Sequence, residues 1–109
     1  MSTGERTSSL TELARLGFSD LSESAALLEE LSIAIDVPRA DLLRAAAAAA
    51  DPDGALLALT RIARRNAEPV RTVYRHPQAW RALWALLGAS TGFAEFFLRR
   101  PAELELRLS

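Results

Sequence analysis

Apolar side chains recur at helical spacing along most of the 109-residue chain. The clearest stripe consists of five residues that fall on one side of a single helix: Leu27, Leu28, Leu31, Ala34 and Ile35. Elsewhere, prolines and glycines divide the same pattern into short pieces. The spacing predicts helices over about residues 10–16, 21–35, 38–50, 52–65, 69–74, 77–88 and 91–100, with a final helical turn over 102–108.

Local signals set the ends of these helices. The predicted N-terminal caps are Ser9, Asp20, Asp51 and either Ser90 or Thr91. The predicted stops are Gly17, Gly88 and Pro101. Outside residues 104–108, whose apolar period of two also fits a strand, no strand-hairpin signal is present. We therefore predict an all-α fold, a compact array of about seven short helices joined by proline-marked turns, over residues 9–109, with a disordered N-terminus at residues 1–8.

The bulkiest apolar side chains are concentrated near the end of the chain, on two helices that meet at a tight corner. The aromatic residues there are Trp80, Trp84, Phe93, Phe96 and Phe97. They lie at helical spacing among leucines, which favours burial in a core over stacking on nucleic-acid bases.

Charge is unevenly distributed, although the net charge is only −1. Residues 1–60 carry ten acidic residues and four arginines, whereas residues 61–100 carry eight arginines and two glutamates. Two interpretations stay open. The two halves pack together or face solvent, or the basic half presents a face to an acidic partner.

Composition disfavours several functional classes. The chain has no cysteine, so it can form neither a disulfide nor a thiolate zinc site. No apolar run approaches the roughly 20 residues that a membrane span needs. The polar N-terminus lacks the apolar segment of a signal peptide. We therefore expect a cytoplasmic protein without a membrane partner.

Three sites suggest chemistry: His76, the pair Asp51 and Asp53, and the segment 88–92. For each of them a structural role is the better explanation. His76 is the only histidine and has no carboxylate cluster near it in the sequence, so it cannot build a triad or a usual metal site. Asp51 and Asp53 cannot form a calcium loop, because Ile62 stands where such a loop needs its glutamate. Helix capping is therefore the better explanation for both. The segment 88–92 lacks the Lys-Ser/Thr of a phosphate loop. We predict no catalytic, cofactor-binding or metal-binding residue in this chain.

Residues 31–44 match the helix-turn-helix of bacterial repressors weakly. Asp36 stands where the turn glycine of that motif is expected. The second helix would carry Arg39 and Arg44 but also Asp41, in an acidic half of the chain. Phosphate contacts require a basic surface, so DNA binding is the least favoured alternative and no nucleic-acid partner is expected.

Three segments carry a more specific signal: the run Asp-Pro-Asp-Gly-Ala-Leu-Leu at 51–57 and on to 65, Leu-Leu-Gly-Ala-Ser at 86–90, and Phe-Phe-Leu-Arg-Arg-Pro-Ala-Glu-Leu at 96–104. Arg-Leu-Gly-Phe at 15–18 and Val-Pro-Arg-Ala-Asp-Leu-Leu at 37–43 fit the same pattern. Together they resemble the extreme N-terminal region of the bifunctional glutamine synthetase adenylyltransferase/adenylyl-removing enzyme of actinobacteria. The resemblance covers most of the chain from about Leu13 onward.

The resemblance implies an enzyme that transfers AMP from ATP to a tyrosine of glutamine synthetase and removes it by phosphorolysis. A small regulatory protein that reports nitrogen status would set the balance. Each catalytic half would use a nucleotidyltransferase fold, with a Gly-Ser turn and paired aspartates that hold magnesium. No paired aspartates follow the Gly-Ala-Ser at 88–90, so no catalytic residue is carried over to this chain. ATP and magnesium are expected only for the full-length enzyme.

The resemblance therefore predicts a non-catalytic helical segment that packs against the adenylyl-removing domain. Its partner would be the downstream nucleotidyltransferase domain of the same protein, and glutamine synthetase would be reached only through the full-length enzyme. Phe96, Phe97 and residues 104–108 are expected to form an exposed apolar patch for that contact. The alternative is a stand-alone helical interaction module whose arginine face is formed by Arg61, Arg64, Arg65 and Arg71.

Overall fold

The chain folds into helices alone over the residues that the computed structural model describes, 11–108. Within helix α1 the described residues are 11–15. The other helices are α2 (Leu21–Ile35), α3 (Arg39–Ala46), α4 (Pro52–Arg65), α5 (Ala67–Tyr74), α6 (Pro77–Ala89), α7 (Thr91–Arg99) and α8 (Glu103–Leu108). The predicted all-α fold is confirmed. The predicted disordered segment 1–8 and the predicted cap Ser9 lie outside the described residues.

Side-chain caps fix the start of α2, α4 and α7 where the sequence predicted them. In each case the cap oxygen accepts a hydrogen bond from the backbone N–H three residues further on. The distances are 3.2 Å for Asp20, 3.1 Å for Asp51 and 3.4 Å for Ser90. These bonds satisfy N–H groups that have no partner inside the helix, so each cap stabilises its helix by about 1 kcal/mol.

Helix α5 begins two residues before the predicted start at Pro69. The side chain of Asn66 accepts a hydrogen bond from the N–H of Glu68 at 3.2 Å and caps the helix. Pro69 is the third residue of the helix, where a proline is tolerated because its missing N–H would have no intrahelical partner.

Helix α3 ends at Ala46, although the alanine run predicted a helix to residue 50. The N–H groups of Ala48 and Ala49 bond to carbonyls three residues back, each at 3.0 Å, which tightens and ends the helix. Ala50, predicted on the apolar stripe, is exposed, and Ala45 is buried instead. Helix propensity therefore does not decide this end.

Tertiary packing explains why the chain turns away at this point. Residues 49–51 lie directly against Gly88 of α6. A Cβ atom at Gly88 would stand 3.0 Å from the Cβ of Ala49 and 3.2 Å from the carbonyl oxygen of Asp51, closer than ordinary van der Waals contact. The turn after Ala46 places Ala49 and Asp51 beside α6, and it leaves Asp51 in the non-helical conformation from which it caps α4.

The core is built around α4. Four of its side chains are fully buried: Ala55, Leu56, Leu59 and Ile62. They face α2 and α6 above all, and α4 also contacts α3, α5 and α7. Burial of each leucine or isoleucine contributes about 1.5–3 kcal/mol, so α4 is the main apolar support of its neighbours.

The predicted exposed patch near the C-terminus is wrong for two of its members. Phe97 is 2% exposed because α7 packs on α4 and α6, and Leu104 is fully buried because α8 folds back onto α5 and α6. Both side chains therefore belong to the core of this chain. Leu106, another member of the predicted patch, is 78% exposed as expected, whereas Phe93, predicted in the core, is 44% exposed.

Asp53 ties the start of α4 to the beginning of α2, a role that the sequence did not suggest. Its carboxylate accepts hydrogen bonds from the backbone N–H of Ser19 at 2.6 Å and from the hydroxyl of Ser24 at 2.7 Å. Ser24 is one of the two buried polar residues in the described chain. Capping was predicted for both Asp51 and Asp53. Asp51 does cap α4, whereas Asp53 bonds to Ser19 and Ser24.

The variant Asp53→Ala should lower the free energy of unfolding by about 1–3 kcal/mol, because the buried Ser24 hydroxyl then lacks an acceptor. Urea unfolding followed by circular dichroism measures this. Ser24→Ala removes the donor as well, so the double variant should lose clearly less than the two single losses added together. Additive losses would mean that the Ser24–Asp53 contact does not stabilise the fold.

Candidate functional site

The residues that suggested chemistry in the sequence lie at helix starts or hold helices together in the structure. His76 is the N-cap residue of α6, with an exposed side chain that makes no capping hydrogen bond. Asp51 caps α4, and Asp53 holds Ser19 and Ser24. Over residues 11–108, no group of three or more histidine, aspartate or glutamate side chains lies close enough to hold a metal ion.

The two tryptophans are part of the core, as predicted. The rings of Trp80 and Trp84 meet edge to face at 5.9 Å between centroids, and Tyr74 meets Trp80 in the same way at 5.3 Å. Both tryptophans are buried, so they offer no open face on which a nucleic-acid base could stack.

Two arginines of the predicted arginine face are engaged within the chain. Arg64 donates two hydrogen bonds to the Glu30 carboxylate, at 2.6 and 2.8 Å, and so joins α4 to α2. This guanidinium lowers the pKa of Glu30, and the carboxylate in turn raises the pKa of Arg64. Arg71 bonds to Glu68 and to the carbonyl oxygen of Ala34, each at 2.8 Å.

These contacts decide part of the charge question raised by the sequence. The acidic half and the basic half pack together through α2, α4 and α5. Arg61 and Arg65 remain exposed on α4 and form no ion pair with residues 11–108. The predicted four-arginine face is therefore reduced to two available cations.

A groove between α3 and the α5–α6 corner brings several polar side chains together. It has a volume of about 480 Å³. Its lining includes Asp41, Arg44, Ala45, Tyr74, Arg75, Pro77, Trp80 and Arg81. A mainly apolar part, which shares Pro77 and Arg81 with the first, continues along α6 past Ala48, Ala82 and Ala85. We refer to the two parts together as the α3–α6 groove.

Asp41 is the acidic residue of this lining, and it is already satisfied. The Tyr74 hydroxyl donates a hydrogen bond to one carboxylate oxygen, and Arg44 pairs with the other. The bond from Tyr74, with the Arg44 bond and charge, lowers the pKa of Asp41. The same bond to Asp41, together with partial burial, raises the pKa of the Tyr74 hydroxyl. Arg44, a would-be DNA contact of the helix-turn-helix hypothesis, is thus held by Asp41.

A second opening lies between α7 and α8. It has a volume of about 260 Å³ and is lined by Gly92, Phe93, Phe96, Phe97 and Arg107. The Arg107 guanidinium lies 5.1 Å from the centroid of the Phe96 ring, a cation–π contact that covers one side. The Phe93 ring stacks on Phe97 at 6.4 Å and leaves its outer surface open. We refer to these five residues as the α7–α8 pocket.

None of the helices within residues 11–108 combines the length and apolar character that crossing a membrane requires. The fold and its surfaces together define a small all-helical protein segment. Four of its side-chain contacts join one helix to another, those of Asp53 with Ser24, Arg64 with Glu30, Arg71 with Ala34 and Tyr74 with Asp41, and its open surfaces include an arginine-lined groove and an aromatic pocket.

Comparison with known proteins shows what this chain is similar to. The chain is 49% identical over 96 residues to the bifunctional glutamine synthetase adenylyltransferase/adenylyl-removing enzyme of Leifsonia xyli subsp. xyli, covering 88% of the chain. It is 37% identical to the enzyme of the same name from Streptomyces avermitilis, over 92% of the chain. No protein-family profile matches the chain, and no solved structure matches it.

The chain is therefore homologous to a segment of the actinobacterial glutamine synthetase adenylyltransferase/adenylyl-removing enzymes, which confirms the resemblance seen in the sequence. It spans only 10–11% of the length of these two relatives.

Tyr74 is the only tyrosine in the chain, so ultraviolet absorbance during an alkaline titration reports its ionisation directly. Because Asp41 raises its pKa, the midpoint should lie above the ordinary value of about 10. The stability from this bond should be complete below that ordinary value and be lost as pH rises through the raised pKa.

Asp41→Asn should move the midpoint back toward the ordinary value, because the charged acceptor is gone. Arg44→Gln serves as the control and should not lower the midpoint, because the Arg44 charge opposes the shift. An ordinary midpoint in the unmodified chain would show that the Tyr74–Asp41 bond does not form in solution.

Proposed function

We propose that this chain is the non-catalytic N-terminal helical segment of a glutamine synthetase adenylyltransferase/adenylyl-removing enzyme, and that it packs against the adenylyl-removing domain. In this proposal the AMP transfer and removal named for its relatives belong to other parts of a longer polypeptide. ATP and magnesium would be bound there, in a cytoplasmic enzyme.

The proposal is supported first by the comparisons. A match of 49% identity over 88% of the chain indicates that nearly the whole chain corresponds to one continuous piece of that enzyme. The polar side chains that might have served catalysis support the same view. Asp51 and Asp53 bind backbone or hydroxyl groups of this chain, and Glu30 and Asp41 bind its arginines or its tyrosine.

The α7–α8 pocket supports the packing part of the proposal and is the single observation that carries it. Phe93 is exposed beside a partly buried Phe96, and Leu106 is exposed on α8. Aromatic side chains around a small depression are the usual anchors of a protein interface. In relatives about ten times as long, other domains are available to cover it.

The two alternatives have weaker support. A stand-alone module with an arginine face would have to use Arg61 and Arg65 alone, because Arg64 and Arg71 already hold α2 and α5. A DNA-reading helix α3 would present Arg44, which pairs with Asp41, and has its leucines buried against the other helices.

The test places a photo-crosslinking amino acid at position 93 in the full-length polypeptide that carries this segment. The expected cross-link joins position 93 to the adenylyl-removing domain of the same molecule. The control is the same substitution at Ile33, which is 73% exposed on α2 and lies outside the α7–α8 pocket; it should give no such product.

Cross-linking from position 93 to glutamine synthetase, or to nothing, would contradict the proposed packing. The non-catalytic part is tested separately with the 109-residue chain. Binding of ATP–magnesium by this chain at micromolar affinity, or removal of AMP from adenylylated glutamine synthetase, would contradict it.

A further inference from the structure

The α3–α6 groove contains positive charge that forms no ion pair with the part of the chain that the structure describes. Arg75 and Arg81 both line the groove, and both are exposed. Neither forms an ion pair with residues 11–108, although acidic side chains outnumber arginines in the whole chain. Asp41, the acid in the lining, is occupied by Arg44 and Tyr74.

The start of α6 adds to this positive field. Pro77, its first residue, lies in both parts of the groove, and the His76 side chain makes no capping hydrogen bond. The first turn of α6 contains no acidic residue, whereas those of α2, α4 and α5 each contain one. A carboxylate near this point would therefore interact favourably with two arginines and with the helix dipole.

The apolar part of the groove indicates that the partner is a polypeptide and not a free anion. From the arginines the groove continues past Gln78, Ala82 and Ala85 of α6 and Ala48 at the end of α3. It has a volume of about 630 Å³ and is lined mainly by small side chains. A free anion would need only the arginine end, whereas a chain segment would use both the charged and the apolar part.

We propose that the α3–α6 groove binds an acidic segment from the remainder of the same long polypeptide. Carboxylates of that segment pair with Arg75 and Arg81, and its apolar side chains lie along Ala82 and Ala85. The proposal rests on the proposed function in one respect, that this chain is part of a longer protein. It assigns a second contact surface, separate from the α7–α8 pocket.

The source of the segment follows from the lengths of the relatives. About nine-tenths of each relative lies outside the region that matches this chain, so an intramolecular partner is present at high effective concentration. Two exposed arginines bind weakly on their own, because exposed ion pairs contribute about 0–1 kcal/mol each. Connection through one polypeptide makes such a contact stable without a large interface.

The experiment uses the full-length polypeptide with a photo-crosslinking amino acid at position 82. Ala82 is exposed, so the substitution leaves the core intact. The expected product joins position 82 to a segment of the same molecule, outside residues 1–109, that is rich in aspartate and glutamate. Mass spectrometry of the digested product identifies the segment.

Charge reversal tests the arginines. Arg75→Glu with Arg81→Glu should lower the cross-link yield by about tenfold or more, since repulsion replaces two ion pairs. The matched control is Arg61→Glu with Arg65→Glu, two exposed and unpaired arginines on α4, and it should leave the yield unchanged. Circular dichroism of both double variants should be that of the unmodified protein.

Several results would overturn the inference: cross-linking to a second copy, to glutamine synthetase, to a segment without acidic residues, or to nothing. An equal loss of yield in both double variants would also overturn it, because the effect would then be one of total charge. A cross-link from position 93 with none from position 82 would remove this inference and leave the proposed function in place.

Discussion

Helix α4 is the element on which the rest of the structure depends. It contacts five other helices, and its apolar face is buried along its whole length. Helices of 8 to 15 residues are marginal by themselves in water, so α2, α3, α5, α6 and α7 owe their stability to packing. The start of α4 is fixed twice, by the Asp51 cap and by the bonds of Asp53 to the α1–α2 connection and to α2. Position and orientation of the central helix are thereby set by side chains close to its first turn.

The sequence predicted those features that depend on neighbouring residues. The caps Asp20 and Asp51 need only the N–H three residues further on, and Pro52 needs only the first turn of α4. The Asn66 cap of α5 was missed although its signal was present, because Pro69 suggested a later start. Helix identity could thus be predicted almost throughout, with errors confined to the ends.

Features that depend on distant residues could not be predicted in the same way. The early end of α3 depends on contact with Gly88, about 40 residues later in the chain. Asp53 accepts hydrogen bonds from Ser19 and Ser24, which precede it by 34 and 29 residues. The burial of Phe97 depends on how α7 packs on α4 and α6, and that of Leu104 on how α8 returns to α5 and α6. A pattern of apolar residues indicates that a side chain will be covered, but not whether its own chain or another one covers it. That is why the sequence could not tell that Phe97 and Leu104 would be buried while Phe93 would be exposed.

The structure gives its charged residues two different uses. Glu30, Asp41 and Asp53 accept hydrogen bonds that hold helices together. Arg64 bonds to Glu30, Arg44 bonds to Asp41, and Arg71 bonds to the carbonyl oxygen of Ala34. Arg75 and Arg81 remain beside a groove, and Phe93 remains beside a pocket. The core polar contacts are not all satisfied, because the indole N–H groups of Trp80 and Trp84 are buried with no hydrogen-bond partner among residues 11–108. The open surfaces of this helical chain include an aromatic pocket and a basic groove.

Hydrogen–deuterium exchange tests most directly whether these surfaces are covered in the longer protein. Amide exchange rates are measured for the 109-residue chain and for the full-length polypeptide and then compared. If the segment is packing material, amide exchange in α7, α8 and the first turns of α6 slows in the full-length protein, while the outward face of α2 around Ile33 exchanges equally in both. Equal exchange at all of these positions would mean that the helices stand free of the rest of the protein, which would contradict their role as packing material.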